Sequence, residues 1–161
     1  MTIFRKTLIC AALLLVSPAF AQTNINLGGI SADPTAAVEI TADNLSVDQE
    51  SGTAIFEGNV VLGQGDLRLS AGRVQVVYGN GGGEISRLSA SGGVTFVTAT
   101  EAAEAENAEY DLSAGTLVMT GNVLLTQGSS AISADTMRVN LTDGSAQMDG
   151  RVRTIFNQGN N

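Results

Sequence analysis

Apolar and polar residues alternate with a period of two along most of this chain. Ala54, Phe56, Gly58, Val60 and Leu62 fall on one side of such a stretch, with Thr53, Glu57 and Asn59 on the other. The same alternation runs through Val74, Val76 and Tyr78, and through Leu117, Met119, Gly121, Val123 and Leu125. It returns in Met137, Val139 and Leu141, and in Ala146, Met148, Gly150 and Val152. Val38-x-Ile40, Leu45-x-Val47, Leu67-x-Leu69, Val94-x-Phe96 and Tyr110-x-Leu112 are shorter versions. Successive side chains of a strand point to opposite faces, so the pattern predicts strands with one apolar and one wet face. Antiparallel sheets tolerate that arrangement, whereas parallel sheets usually bury both faces. The fold class expected is therefore all-β.

Glycine punctuates the pattern. Gln49-Glu50-Ser51-Gly52, Leu112-Ser113-Ala114-Gly115 and Leu141-Thr142-Asp143-Gly144 read as one kind of turn, and Gly63-Gln64-Gly65 with Gln127-Gly128-Ser129 as another. Gly58 lies inside an alternating run, which predicts a bend or bulge there rather than a loop.

The strands belong to a repeat. Ala42-Asp43, Ala71-Gly72, Ala105-Glu106 and Ala134-Asp135 open four units, at separations of 29, 34 and 29 residues. Gly58-Asn59-Val60, Gly92-Gly93-Val94, Gly121-Asn122-Val123 and Gly150-Arg151-Val152 close them. The glycine run at Gly79-Asn80-Gly81-Gly82-Gly83 accounts for the longer second unit. A shift of 63 residues also superposes Ile40–Tyr78 on Ala103–Leu141, matching Asp48 to Asp111, Gly52 to Gly115 and Gln64 to Gln127. Fixed periods of this size mark stacked units that share a continuous apolar interior, and hence a long surface rather than a point-like site. Glu101 to Tyr110 has the composition of a helix but occupies the place of Ile40 to Val47 in the repeat, and it is read as strand.

The first 21 residues have the form of a cleaved signal peptide. Arg5 and Lys6 precede an apolar run from Thr7 to Val16, Ser17-Pro18 breaks it, and Ala19-Phe20-Ala21 supplies small residues for cleavage. The run is too short to span a bilayer core of about 30 Å. Cys10 sits inside it, the wrong place for a lipid-modified cleavage site. Residues 22–35 and 157–161 are polar or glycine-rich and are expected to be flexible, leaving 36–156 as one domain. The expected location is the bacterial periplasm or exterior.

Charge and composition narrow the function. The formal net charge is −8, and removal of Arg5 and Lys6 makes the remainder more acidic, which argues against nucleic acid. The chain has no His, and Cys10 is its single Cys. The usual general base, thiol nucleophile and transition-metal ligands are therefore missing from the exported part. No catalytic residue, cofactor or metal site is expected. The glycine run after Tyr78 lacks the Lys and the following helix of a phosphate loop.

Val38-Glu39-Ile40, Ala42-Asp43 and Leu45, followed by the string from Gly52 through Phe56-Glu57-Gly58-Asn59-Val60 to Gly63-Gln64-Gly65, resemble the signature of the OstA-like (LptA) family. Tyr110-Asp111-Leu112 to Gly121-Asn122-Val123-Leu124-Leu125 resembles that family's second half. The resemblance covers about residues 36 to 156. It implies an elongated, twisted, V-shaped open antiparallel β-roll, and a periplasmic protein bridging inner and outer membrane in lipopolysaccharide transport.

On that reading an apolar groove holds lipid A acyl chains. Its candidate lining is Val38, Ile40, Leu45, Val47, Phe56, Val60, Leu62, Leu69, Val76 and Tyr78 in the first half, and Phe96, Tyr110, Leu117, Met119, Val123, Leu125, Met137, Val139 and Met148 in the second. Alternation alone does not separate groove lining from packed core. Arg151 and Arg153 are candidate contacts for lipid phosphates, against the plainer reading of solvated or ion-paired side chains.

The resemblance further implies stacking by edge-strand pairing, through Val38–Val47 at one end and Ala146–Phe156 at the other. The implied partners are further copies, head to tail, and the inner-membrane-anchored and outer-membrane components of the same fold. Two other readings stand beside this one. The first is a structural β-solenoid or adhesin-like module without a lipid ligand; the second is the inner-membrane-anchored sister component of the same bridge.

Overall fold

A computed structural model describes residues 24–26, 36–79 and 83–156. The signal segment and the tail 157–161 lie outside the described residues. The strands are β1 (Asn24–Asn26), β2 (Val38–Thr41), β3 (Asn44–Asp48), β4 (Thr53–Gln64), β5 (Leu67–Tyr78), β6 (Ile85–Val97), β7 (Glu101–Asp111), β8 (Thr116–Gln127), β9 (Ser130–Asn140), β10 (Ser145–Asp149) and β11 (Arg153–Phe156). They form one antiparallel sheet in the order β1-β10-β9-β8-β7-β6-β5-β4-β2, with β3 also on β4 and β11 also on β9. Glu101 to Tyr110 is strand, as the repeat requires.

A single sheet with no covering layer cannot bury a row of side chains unless it folds onto itself. Phe96, Val74, Met119 and Met137 nevertheless have no accessible surface. The fold lies at the middle of every long strand. Register shifts fall between Glu57 and Val60, Ser70 and Arg73, Ser91 and Val94, Glu104 and Asn107, and Thr120 and Val123. These bulges line up as a spine that divides the sheet into two walls. Wall one consists of β2, the second halves of β4, β6 and β8, the first halves of β5, β7 and β9, and β11. Wall two consists of β3, the complementary halves, β10 and β1. β2 and β3 together are one strand bent at Asp43, and β10 and β11 are one strand bent at Gly150-Arg151.

The spine explains the repeated Gly-Asn. Gly58 and Gly121 have φ of 82° and 85°, and Asn59 and Asn122 follow at 46° and 48°. A Cβ on Gly121 would stand 2.7 Å from Glu106 Oε2, and one on Gly58 would stand 2.5 Å from Asp43 Oδ2. Only glycine leaves room for the carboxylate that opens the unit to cross the bend. Asn59 Nδ2 donates to Asp43 Oδ2 at 2.8 Å, Asn122 Nδ2 to Glu106 Oε1 at 2.7 Å, and Arg151 Nε to Asp135 Oδ1 at 2.9 Å. Each clasp ties residues 16 apart in sequence.

The expected edges are the two ends of the sheet, with one addition. β1 pairs with β10, Asn24 opposite Gln147. This short strand lies within the segment expected to be flexible, and it covers the wall-two half of the C-terminal edge. The outer edges of β2 and β3 carry no further strand among the described residues.

Candidate functional site

The inward rows are built by register. Leu45 faces Phe56 and Phe56 faces Val74; Val47 faces Ala54 and Ala54 faces Val76. On wall one, Ile40 faces Leu62, Leu62 faces Leu69 and Leu69 faces Phe96. The outer row of wall two beside the spine is polar: Glu57 faces Arg73, with which it forms an ion pair, and Arg73 faces Ser91.

The nineteen candidate groove residues share this inner face but not one environment. Val60, Leu62, Leu69, Val76, Phe96, Tyr110, Leu117, Met119, Val123, Leu125, Met137, Val139 and Met148 are buried in the common core. Val38, Ile40 and Phe56 are half-buried against it. Leu45, Val47 and Tyr78 are exposed, the first two because they stand on the terminal strand and the third because it ends β5 at the rim. Leu67, Val74, Leu88, Val94, Ile132 and Leu141, with seven alanines, complete the core, and Leu67, Val74, Val94 and Leu141 stand in the alternating runs of the sequence.

The two walls meet. Between them remains a cavity of about 10 Å³, lined by side chains that include Leu62, Phe96, Val74 and Tyr110; that is room for one water. The sheet stays open, as expected from sequence, since its two end strands do not pair with each other, and Leu, Met, Val and Phe side chains fill most of the space between its walls. Phe156, on the inner side of β11, is 73% exposed and marks where this surface runs out at the C-terminal end.

Polar groups reach the interior at the rim of wall one. Gln64 and Glu101 are buried there. Glu101 accepts hydrogen bonds from the Thr98 and Thr100 hydroxyls at 2.7 and 2.5 Å and from Gln127 Nε2 at 3.1 Å. Tyr110 Oη, on wall two, donates to Gln64 Oε1 at 3.0 Å, and Gln64 Nε2 donates to the Ala36 carbonyl at 3.3 Å. Burial pushes the Tyr110 phenol up from its ordinary value, so it keeps its proton and remains a donor. The sequence pattern places Gln64 in a turn and Glu101 at the start of a strand, with no buried role for either. The signal that could have found Gln64 is its match to Gln127 across the 63-residue shift.

Arg151 and Arg153 stand on the outer side of the sheet. Arg151 is held by Asp135 at the spine, on the outside of the bend, and that pairing pushes the Asp135 carboxyl below its ordinary range. Arg153 faces Ser133 on the outer row of wall one. Both are exposed to solvent. Among the described residues no cluster of three or more His, Cys, Asp or Glu is arranged to hold a metal, and no helix is long and apolar enough to cross a membrane.

Known proteins share this architecture. The solved structure of the Pseudomonas aeruginosa protein LptH, described as the LptA-homologous periplasmic component of the lipopolysaccharide transport device, superposes with a TM-score of 0.71. The match covers 79% of this chain and 99% of that one at 14% identity, which is a likeness of fold. An uncharacterized protein of Rhizobium meliloti is 31% identical over 88% of this chain and 83% of its own length. The lipopolysaccharide export system protein LptA of Escherichia coli is 30% identical over 80% of this chain and 69% of its own length. Residues 39–145 match the family described as the LptA/(LptD N-terminal domain) LPS transport protein. The bent sheet, the sequence relatives and the family match agree, and the chain belongs to the LptA family of lipopolysaccharide transport proteins.

Proposed function

We propose that this protein is a periplasmic carrier that passes lipopolysaccharide between the two membranes, holding lipid A acyl chains between its walls and stacking end to end. The observation that carries the reading is the inner face. It is apolar from the exposed Leu45 and Val47 through the buried Leu62, Phe96 and Met119 to the exposed Phe156, and it ends unsealed at both ends of the sheet. Acyl chains entering such a surface gain about 0.8 kcal/mol for each buried methylene. Met119, Met137 and Met148 are unbranched and adaptable, so their side chains can repack around tails of differing length. The phosphorylated headgroup stays in water at the rim. The role is passive, and the work of moving lipid comes from a partner.

Stacking follows from the edges. Among the described residues, β2 and β3 have no strand on their outer edges at one end, and β11 and β1 continue the two walls at the other. Unpaired edges template further strands, and a head-to-tail contact of unlike ends does not close. It therefore builds a bridge with other copies or with components of the same fold.

A photoreactive side chain at Phe56, Val60 or Met119 should capture lipopolysaccharide in living cells, and one at Glu57, on the outer face, should not. Equal labelling of both faces defeats the proposal. A structural module without a ligand is the second reading, and the side chains packed between the walls favour it. Native mass spectrometry of protein purified from envelope-containing cells separates the two, since a carrier emerges with lipid bound and a structural module emerges bare.

A further inference from the structure

The spine is not uniform. Three of its bends are clasped by a carboxylate: Asp43 to Asn59, Glu106 to Asn122, and Asp135 to Arg151. The second bend has Gly72 where the others have Asp or Glu, and Gly93 where they have Asn or Arg. No side chain crosses it. Gly92 and Gly93 have φ of 82° and 81°, and the backbones touch directly, a Cβ on Gly92 standing 3.3 Å from Gly72 Cα.

This bare bend lies on β5 and β6, the two strands between β4 and β7. Those outer two carry the bond that joins the walls at the rim, Tyr110 of β7 to Gln64 of β4. Gln64 is the last residue of β4 and Tyr110 the last but one of β7, so the bond sits far from the spine, where it has the most leverage on the opening angle. It also separates two spaces. Tyr110 lines the small interior cavity. Gln64 lines a solvent-open cleft of about 450 Å³ outside it, together with Ala36, Val38, Ile85 and Leu112.

We infer that β4 to β7 form the entry gate of the interior, hinged at Gly72/Gly92-Gly93 and latched by the Tyr110–Gln64 hydrogen bond. The inference rests on the carrier reading above and names the place where the acyl chains go in. Opening needs a bend that can change its backbone angles, and hinge motion concentrates at a few such residues. Glycines without a clasp meet that need, and the three carboxylate bends do not. Closing needs a contact that forms only when the walls meet. Two buried polar groups that satisfy one another across the interior supply it, because leaving either unpaired while buried is costly.

The test uses the exported chain, which has no Cys of its own, with fluorescently labelled lipid A as the probe. Tyr110→Phe keeps the ring and removes the donor. It should tighten or speed lipid uptake by about two- to tenfold, the worth of one hydrogen bond holding the closed state. Unchanged or weaker uptake overturns the latch. Gln64→Cys with Tyr110→Cys, joined by a cleavable bifunctional crosslinker, should lose uptake at least tenfold and recover it on cleavage. Undiminished uptake in the locked form overturns the gate.

The hinge is read by spin-label pairs on the outer face. Arg87→Cys with Val97→Cys spans the two walls on β6, and Val118→Cys with Thr126→Cys spans them on β8. Lipid should lengthen the first distance more than the second, and equal changes overturn the hinge. If wild-type protein takes up no lipid, the carrier reading fails and the gate fails with it. If wild type binds lipid and the variants behave like it, the gate alone fails.

Discussion

Val47 and Tyr110 occupy the same position of the repeat, 63 residues apart, yet Val47 is 62% exposed and Tyr110 is 5% exposed. Leu45 and Ala108 show the same contrast, at 57% and 3%. Nothing in the local alternation distinguishes the members of each pair. Tyr110 and Ala108 have strands on both sides and a wall in front of them, whereas Leu45 and Val47 stand on the last strand of the sheet. Burial in this fold is conferred by the next unit and not by the residue itself. The terminal strands are therefore written like interior ones.

The contrast is broken most forcefully in the middle. Phe96→Ala removes a fully buried ring and should cost about 3–5 kcal/mol of stability. Phe156→Ala, at the exposed C-terminal end, should stay within about 0.5 kcal/mol in the same urea titration. Comparable losses would mean that the ends are as sealed as the centre. A smaller effect is expected at the spine. Gly52→Ala and Gly121→Ala both force a side chain into positive φ, at about 1–2 kcal/mol. Gly121→Ala should cost clearly more, because its Cβ meets the Glu106 carboxylate whereas nothing stands within 4 Å at Gly52. Equal midpoints for the two variants would remove the clasp from the account of the bend.

Val47→Asp should change stability by no more than about 0.5 kcal/mol while shifting a concentration-dependent assembly toward monomer in analytical ultracentrifugation. Unaltered assembly would show that this end of the inner face is not the joint. The smallest effect concerns pH. The hydrogen bond from Arg151 lowers the Asp135 pKa in the folded state, so its contribution is complete above the ordinary value of 3.8 and is lost as pH falls through the depressed folded value. The melting-temperature gap between wild type and Asp135→Asn should hold steady near neutrality and close in acid. A gap that widens in acid contradicts the assignment.

Much of this was legible in the sequence, for physical reasons. The period of two gave the strands and their inner faces, and Gly58, set inside an alternating run, announced the bend because few other residues fit there. Even the helix-like Glu101–Tyr110 yielded once its place in the repeat was weighed above its composition. Three matters were not legible. Alternation says which face a side chain takes but not how closely the opposite wall approaches, so the division of inner residues between packed core and free surface could not be read from it. Gln64 looked like a turn residue because its partner, Tyr110, lies 46 residues away. Asn24–Asn26 is three residues long, too short a run for alternation to reveal its pairing with β10.

The aligned bends carry a consequence for any strand that joins either end. It must kink where its neighbour kinks, at the level of Asp43 on one side or Gly150-Arg151 on the other. A slip of one residue would turn its oily side chains outward and put the kink out of line. The row of corners thus works as a keyway: it fixes the phase in which successive subunits can lock together, before any side chain at the joint is consulted.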